Sequence, residues 1–222
     1  MTFHRRLFVL ATALFAATAA LADTSAFETG GDHFISGGTV NEVVNTAGDA
    51  FIAARTANAE GTSGGDLHVV GAHVSVGTSA AGDLYGIGGW VGIRGRVADD
   101  LTVAGFSVRT EATSETGGNA RLAGSSVTIE GPVAGALMVT GVDVILNAPI
   151  GGDVRIVAHA ITFGPEATIG GTLTYHTETE IAVPERVIPA DRVRFEKATM
   201  IDAWDGIDGI RGEMPVLPTF MS

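Results

Sequence analysis

Apolar and polar residues alternate in short stretches along most of this chain, and glycine interrupts the alternation at regular intervals. In the segment GDLHVVGAHVSV, which begins at Gly65, leucine and valine take alternate positions on both sides of a central glycine. A period of two over a few residues, bounded by glycine, indicates short half-buried β-strands joined by tight turns. The apolar positions do not follow a helical period of 3.6 residues. The pattern therefore predicts an all-β protein.

The alternating segment recurs with a period of 17 residues, and two units are longer by two. The longer units end in Glu111–Gly117 and Gly164–Gly170, which we expect to form polar loops at one corner. A fixed period of this length is typical of a solenoid, in which each unit contacts only its neighbours. The units open at Gly31, Gly48, Gly65, Gly82, Asp99, Gly118, Gly135, Gly152 and Gly171.

Three short strands in each unit predict a narrow, triangular, single-stranded β-helix of about nine coils, each of 17–19 residues. Successive coils then pair as parallel strands about 4.8 Å apart, so that like residues stack in columns inside. The coil Gly48–Gly64 directs Ala50, Ala57 and Ala59 inward and is expected to be the thinnest and least stable. The repeat predicts one domain over residues 23–183.

The first 22 residues have the pattern of a secretory signal peptide. A basic start at His4–Arg6 precedes the apolar run Leu7–Leu21, and Ala20-Leu21-Ala22 fits a cleavage site before Asp23. The chain contains no cysteine, so it has neither disulfides nor a lipid-modified cysteine. We therefore expect a periplasmic or otherwise extracytoplasmic protein with no transmembrane span after cleavage.

The repeat pattern ends after Val183. Pro184 and Pro189 interrupt strand pairing, because proline lacks the N–H that a ladder requires. We expect residues 184–222 to form a C-terminal tail with one short helix over Asp191–Trp204. The net charge of −12 opposes binding to nucleic acid or to anionic lipid.

An aspartate follows most of the repeat glycines, and stacking predicts a column of carboxylates along one edge. Two interpretations are open: each carboxylate accepts hydrogen bonds from turn amides, which we favour, or the column binds calcium. The calcium-binding nine-residue repeat is a different pattern. The aspartates are Asp32, Asp49, Asp66, Asp83, Asp100 and Asp153.

Catalytic, cofactor and metal sites are not expected. The histidines are scattered without a metal-ligand spacing, and no Gly-x-Ser-x-Gly motif is present in the sequence. A carbohydrate-active enzyme is the weakest alternative, since it rests on Glu111, Glu115 and Glu130 approaching one another beside the longer coil. The histidines are His33, His68, His73, His159 and His176 in the part that follows the leader.

The repeated Gly-Asp-Leu-x-Val-x-Gly units, with Val and Ile later in each coil, resemble the bactofilins, a family of polymer-forming bacterial cytoskeletal proteins. The resemblance covers residues 31–183 and is clearest in Gly65–Val76, Gly82–Ile93, Gly135–Leu146 and Gly152–Ile161. It implies a right-handed triangular β-helix that assembles end to end into nucleotide-free filaments. Those filaments are typically cytoplasmic, whereas this chain carries an export signal.

A solenoid end exposes unpaired strand edges and an open core, which can template association with another chain. We therefore predict a scaffold protein whose partner is a second copy of itself, with components of the cell envelope as further partners. A tail beginning at Pro184 that covered the C-terminal end would limit association to a dimer. The candidate residues for self-association are Phe34, Ile35, Val40, Leu173, Tyr175, Ile181 and Val183.

The alternative function is an adhesin-like module that binds polysaccharide on a flat face of the solenoid. An exposed row of aromatic residues would favour it. Tyr85, Trp90 and Phe106 are the aromatic residues that come near one another in sequence.

Overall fold

The computed structural model describes residues 23–197, which form a β-solenoid of about ten turns. Within that range the chain has sixteen strands, one 3-10 helix at Ala190–Arg192 and no α-helix. The strands are β1 (Ser25–Thr29), β2 (Asp32–Thr46), β3 (Ala50–Ser63), β4 (Leu67–Val76), β5 (Ser79–Ala80), β6 (Leu84–Ile93), β7 (Arg96–Val97), β8 (Leu101–Thr110), β9 (Glu115–Thr116), β10 (Ala120–Ile129), β11 (Leu137–Leu146), β12 (Pro149–Ile150), β13 (Val154–Phe163), β14 (Thr168–Ile169), β15 (Leu173–Thr177) and β16 (Val193–Lys197).

Most coils consist of one ten-residue strand and one two-residue strand. In β4 the buried positions are Leu67 and Val69, then Val74 and Val76, so the alternation changes phase in the middle. A change of phase directs both halves of the strand inward only if the backbone turns a corner between them. The two halves and the short strand β5 therefore form three sides, as the sequence predicts.

Successive coils pair in parallel and in register. Leu67 lies beside Leu84, which lies beside Leu101, and the register passes through the longer coil to Ala120. The third residues of the coils thus form one interior column in which each side chain is at most 1 % exposed. Burying one such leucine contributes roughly 1.5–3 kcal/mol, so the stability of a coil depends on its neighbours. The column is Leu67, Leu84, Leu101, Ala120, Leu137, Val154 and Leu173.

Both insertions lie at the same corner, between the long strand and the short strand. Each forms a tight turn: the Ser114 N–H donates to the Glu111 carbonyl at 2.8 Å, and the Ala167 N–H to the Gly164 carbonyl at 3.2 Å. The expected loops at one corner are thus present. The small residues Ala50, Ala57 and Ala59 of the second coil are all buried, as expected.

The N-terminal end carries a hairpin that the repeat did not predict. Strand β1 pairs antiparallel with β2, and Gly30 and Gly31 connect them with φ of 64° and 95°. Positive φ at both loop residues is the requirement of a type I′ turn, which glycine meets without steric cost. The dipeptide Gly-Gly between two alternating segments was the available signal.

At the C-terminal end the coils extend past the predicted boundary at Val183, and the helix predicted over Asp191–Trp204 is wrong in its described part. Val193–Lys197 is strand β16, parallel to β15, and the remainder of that prediction lies outside the described residues. The reason is a period of two: Val193 and Phe195 alternate with charged residues. The open edge of β15 therefore templates another strand, with Val193 beside Leu173.

Within residues 23–197 the chain has no helix that is long and apolar enough to cross a membrane.

Candidate functional site

Each aspartate of the predicted column accepts a backbone hydrogen bond from the next coil. The Asp66 N–H donates to Asp49 Oδ1 at 2.8 Å, and the Asp83 N–H donates to Asp66 Oδ1 at 2.8 Å. Asn119 takes the same place later in the column, where its Oδ1 accepts the Ala136 N–H at 3.0 Å. The favoured interpretation, in which these carboxylates satisfy turn amides, is confirmed. The amides belong to the neighbouring coil.

Two carboxylates of the column have a lowered pKa. The backbone N–H of Asn119 holds the pKa of Asp100 below its usual value, and Arg121, at 3.0 Å, adds to the effect. For Asp153 the main cause of the lowered pKa is the backbone N–H of Thr172. These hydrogen bonds favour the ionised form, so both groups remain charged at a lower pH than an ordinary aspartate.

The aspartate column also explains why the repeat opens with glycine. A Cβ added to Gly82 would clash with Asp66 Oδ1, and one added to Gly65 would clash with Asp49 Oδ1. A side chain there would displace the carboxylate that accepts the next coil's amide. Asp99 is the exception to glycine at the start of a coil. Its N–H donates to the Gly82 carbonyl at 3.3 Å, whereas the equivalent bond one coil earlier, from the Gly82 N–H to the Gly65 carbonyl, is 3.1 Å long.

The calcium interpretation stays a prediction. Asp49, Asp66 and His68 offer one ligand atom each within 4.8 Å of one another, and no other such group of three occurs among residues 23–197. One oxygen of each of these two carboxylates already accepts an amide proton. A cation would therefore share those oxygens with the backbone or use the second oxygen of each group.

A stack of five aromatic rings runs along the outside of the first coils. Neighbouring ring centroids are 4.6–5.0 Å apart and the planes are within 7° of parallel. Such stacking adds roughly 0.5–1.5 kcal/mol per pair beyond the burial of area. The pattern of apolar positions did not predict this stack, although four of its members are spaced 17 residues apart. The stack consists of Phe27, Phe34, Phe51, His68 and Tyr85.

The stack presents ring edges rather than ring faces to solvent. Phe34, Phe51 and His68 each have a ring on both sides, so their faces are covered. A sugar stacks on a face, so most of this row cannot serve as a polysaccharide platform. Phe27 ends the stack with one ring neighbour, and its side chain is 53 % exposed.

Two ionisable members of the stack have a shifted pKa. Burial lowers the pKa of His68, and the nearby carboxylates, Asp66 foremost, offset part of that effect. The hydrogen bond that the Tyr85 hydroxyl donates to Asp83 Oδ2, at 2.7 Å, is the main cause that raises the pKa of Tyr85 to about 12. Both shifts favour the neutral ring inside the stack.

A second pair of rings lies on another column of the surface. The Trp90 and His73 centroids are 4.6 Å apart and their planes differ by 8°. Trp90 is 54 % exposed, and the residue beside it in the next coil is Ser107. The exposed Phe106 lies on the same coil as Ser107, one residue before it. Trp90 and Phe106 are thus exposed aromatic residues of adjacent coils.

The self-association residues predicted for the N-terminal end are covered. Phe34 lies inside the aromatic stack, and Ile35 and Val40 are buried. Strand β1 lies along β2 and places Ala26 beside Ile35 and Phe27 beside Phe34. The outermost strand at this end, among residues 23–197, is therefore β1.

The residues predicted for the C-terminal end are covered as well. Leu173 and Tyr175 are buried because β16 stacks on β15, with the Phe195 ring 5.4 Å from the Tyr175 ring. The backbone N–H of Ile181 donates to the Tyr175 hydroxyl oxygen at 3.3 Å. Ile181 and Val183 are partly buried against the core. The outermost described strand at this end is β16.

Two of the three acidic residues considered for catalysis form ion pairs with different arginines. Glu130 pairs with Arg109 at 2.6 Å and Glu115 with Arg96 at 3.7 Å, while the Glu111 carbonyl closes the insertion turn. His68 and His73 stand in different columns, as expected. The enzyme alternative stays a prediction.

No family model, curated protein or solved structure matches this chain.

Proposed function

We propose that this chain is an exported, non-enzymatic scaffold protein that self-associates through the ends of its solenoid. The observation that carries the proposal is β1, a five-residue strand at the N-terminal end with every residue exposed. Among the described residues it pairs with β2 alone, so one edge of the strand is available. A free strand edge of this kind is a template for pairing with another chain.

The hairpin geometry indicates which groups this edge offers. The residue pair that flanks a two-residue loop exchanges hydrogen bonds, and the pairs then alternate along an antiparallel ladder. Thr29 pairs with Asp32, so Thr29, Phe27 and Ser25 direct their amides toward β2. The N–H and C=O groups of Ala26 and Glu28 consequently point outward.

These outward groups suit a two-fold pairing of β1 with β1 of a second copy. In an antiparallel pair centred on Phe27, Ala26 of each copy lies opposite Glu28 of the other, and the two exchange hydrogen bonds. The two Phe27 rings then face each other in a pair without hydrogen bonds, where side chains come closest. The aromatic stack would continue from one molecule into the next.

The C-terminal end gives the proposal its second contact. Strand β16 pairs with β15 alone among the described residues. Association through both ends builds a filament, whereas association through β1 alone builds a dimer. The resemblance of the repeat units to those of bactofilins, noted in the sequence, favours the filament, which would require neither nucleotide nor metal. Components of the cell envelope are further partners in this proposal.

Light scattering and electron microscopy of purified residues 23–222 test self-association. We expect dimers or filaments, and we expect Ala26→Pro to shift the population toward monomers, because proline removes an outward N–H. The matched control Ala26→Thr keeps that N–H and should associate like the unaltered protein. Monomers of the unaltered protein at high concentration would overturn the proposal.

Export is tested separately by fractionation of cells that express the full chain, followed by N-terminal sequencing. We expect the protein outside the cytoplasm with Asp23 as its first residue, since Ala20-Leu21-Ala22 fits the pattern of a signal-peptide cleavage site. Full-length protein retained in the cytoplasm would contradict export and leave self-association unaffected.

The polysaccharide-binding alternative is favoured by one observation, the exposed ring of Trp90 on a side of the solenoid. This ring lies far from the strand edges that carry the scaffold proposal.

A further inference from the structure

A shallow groove of about 320 Å³ lies beside Trp90 on one side of the solenoid. This volume is near the lower limit of small-molecule sites and suits one or two sugar rings better than a protein segment. Its lining combines the indole with short polar side chains: Asn58, Ser75 and Ser107. The groove is independent of the solenoid ends.

The two faces of the Trp90 indole differ. One face is covered by His73 at 4.6 Å, which fixes the plane of the ring. On the other side the register places Ser107, whose side chain is too small to cover an indole. Trp90 therefore presents a rigid aromatic face that is open to a ligand.

Gly92 leaves space beside this face. It lies two residues after Trp90 and stands between Ser75 and Arg109 in its column. A Cβ added to Gly92 would find its nearest atom, Glu111 Oε1, at 3.9 Å. Most other repeat glycines pack against a carbonyl or a carboxylate, whereas this one opens the floor of the groove.

We propose that this groove binds a neutral pyranose whose ring substituents are equatorial. Such a sugar has a face of axial C–H bonds that stacks on an aromatic ring and a rim of hydroxyl groups that hydrogen-bond. The open indole supplies the ring, and Ser75, Ser107 and Asn58 supply hydroxyl and amide groups at the rim. Arg109 has five donors, one of which bonds to Glu130 at 2.6 Å.

The charges around the groove favour a neutral sugar over an acidic one. Glu130 pairs with Arg109, Glu60 pairs with Arg94 at 2.6 Å, and the Glu111 carboxylate lies near Gly92. The whole chain has a net charge of −12. The two ion pairs are locally neutral, and the Glu111 carboxylate together with the net charge of the chain favours a neutral glycan over an anionic one.

A second occupant, an apolar protein surface, would depend on different residues. Ile87 and Phe106 are 60 % and 66 % exposed, and both are outside the lining of the groove. A docking protein would use them together with Trp90, whereas a sugar stacked beside Ser107 would not need Ile87. Ile87→Ser is therefore a control that separates the two.

The test uses Trp204→Phe as the background, since Trp90 and Trp204 are the two tryptophans of the chain. Cello-oligosaccharides and chito-oligosaccharides are titrated into this protein while the fluorescence of Trp90 is recorded. Binding by the variants is compared by affinity electrophoresis in gels that contain hydroxyethyl cellulose. We expect a saturable change in emission and retarded migration. Trp90→Ala should weaken binding by about tenfold or more, with an unchanged circular dichroism spectrum.

Three results would overturn the proposal. The first is the lack of a saturable change with either oligosaccharide at millimolar concentration. The second is equal retardation of Trp90→Ala, or a loss in Ile87→Ser as large as in Trp90→Ala. The third is equal binding of polygalacturonate, because the carboxylates around the groove disfavour an acidic glycan.

Discussion

Replacing Asp66 separates the hydrogen-bonding role of the aspartate column from a role of its charge. Asp66→Ala removes the acceptor of the Asp83 N–H, which is 2.8 Å away. A hydrogen bond to a charged group contributes about 1.5–3 kcal/mol. Asp66→Asn retains an acceptor oxygen at the same place, as Asn119 does naturally in its own coil.

The charge of Asp66 acts in the opposite direction. Its neighbours in the column, Asp49 and Asp83, lie one coil away on either side. Two unit charges about 4.8 Å apart in water repel by roughly 0.9 kcal/mol, and physiological salt reduces this by about half. Removing the charge of Asp66 therefore ends its repulsion by two neighbouring carboxylates and raises the free energy of unfolding by about 1 kcal/mol. We expect Asp66→Asn to be neutral or stabilising, and Asp66→Ala to be about 1–2 kcal/mol less stable than Asp66→Asn.

Urea unfolding of the three proteins, at low and moderate salt and with calcium or a chelator, measures these differences. The advantage of Asp66→Asn should shrink as salt increases, and calcium should leave all three midpoints unchanged. If Asp66→Asn is destabilised as much as Asp66→Ala, the charge itself is required. A calcium-dependent midpoint in the unaltered protein would then establish the cation interpretation and refute our reasoning.

Three further predictions concern single positions of the repeat. Gly82→Ala should lower the free energy of unfolding by about 1–3 kcal/mol, because the added Cβ would clash with Asp66. Gly92→Ala places its Cβ in open space and should change the free energy of unfolding by no more than about 0.5 kcal/mol. Urea unfolding measures both. Burial lowers the pKa of His68, so the stability that its neutral ring contributes is present above the unfolded pKa of 6.5 and is lost as pH falls below that value. His68→Phe should therefore remove part of the fall in urea midpoint between neutral and mildly acidic pH. An equal fall in the variant and in the unaltered protein would contradict the assignment. Asp83→Asn should bring the pKa of Tyr85 from about 12 toward 10 in a spectrophotometric titration, and an unchanged curve would contradict the hydrogen bond as its cause.

The repeat made the interior of the solenoid predictable. Because parallel coils stack in register, one count of 17 residues assigned Leu67, Leu84 and Leu101 to one column, and the structure pairs them. The aspartate column followed from the same count. Its acceptor role was predictable from turn chemistry, but the donor was not, because the amide belongs to a residue one coil away.

The ends of the solenoid were harder to predict, since a period describes only what repeats. Strand β1 precedes the first repeat and runs antiparallel to β2, so the repeat does not describe it. The signal for it in the sequence was the turn dipeptide Gly30-Gly31. Strand β16 follows a segment with two prolines, and five residues are too few to decide between a helix and a strand. The segment becomes a strand because it pairs with the edge of β15, which is a tertiary contact that the local sequence does not contain.

The aromatic stack shows a different limit. Phe34, Phe51, His68 and Tyr85 occupy the same position in four successive coils, so the signal was present in the sequence. Closeness along the chain points instead to Tyr85, Trp90 and Phe106, and it does not reveal the stack. In a solenoid, residues one period apart are closer in space than most residues in the same coil.

The self-association of β1 strands is tested most directly by one introduced cysteine, since the chain has none of its own. In the two-fold pairing each Phe27 lies opposite its copy with Cα atoms about 4.5 Å apart, within the range that a disulfide spans. Oxidised Phe27→Cys should therefore form a covalent dimer, whereas Thr102→Cys, farther along the same column, should stay monomeric. Monomeric Phe27→Cys, or equal cross-linking of both variants, would contradict the proposed contact.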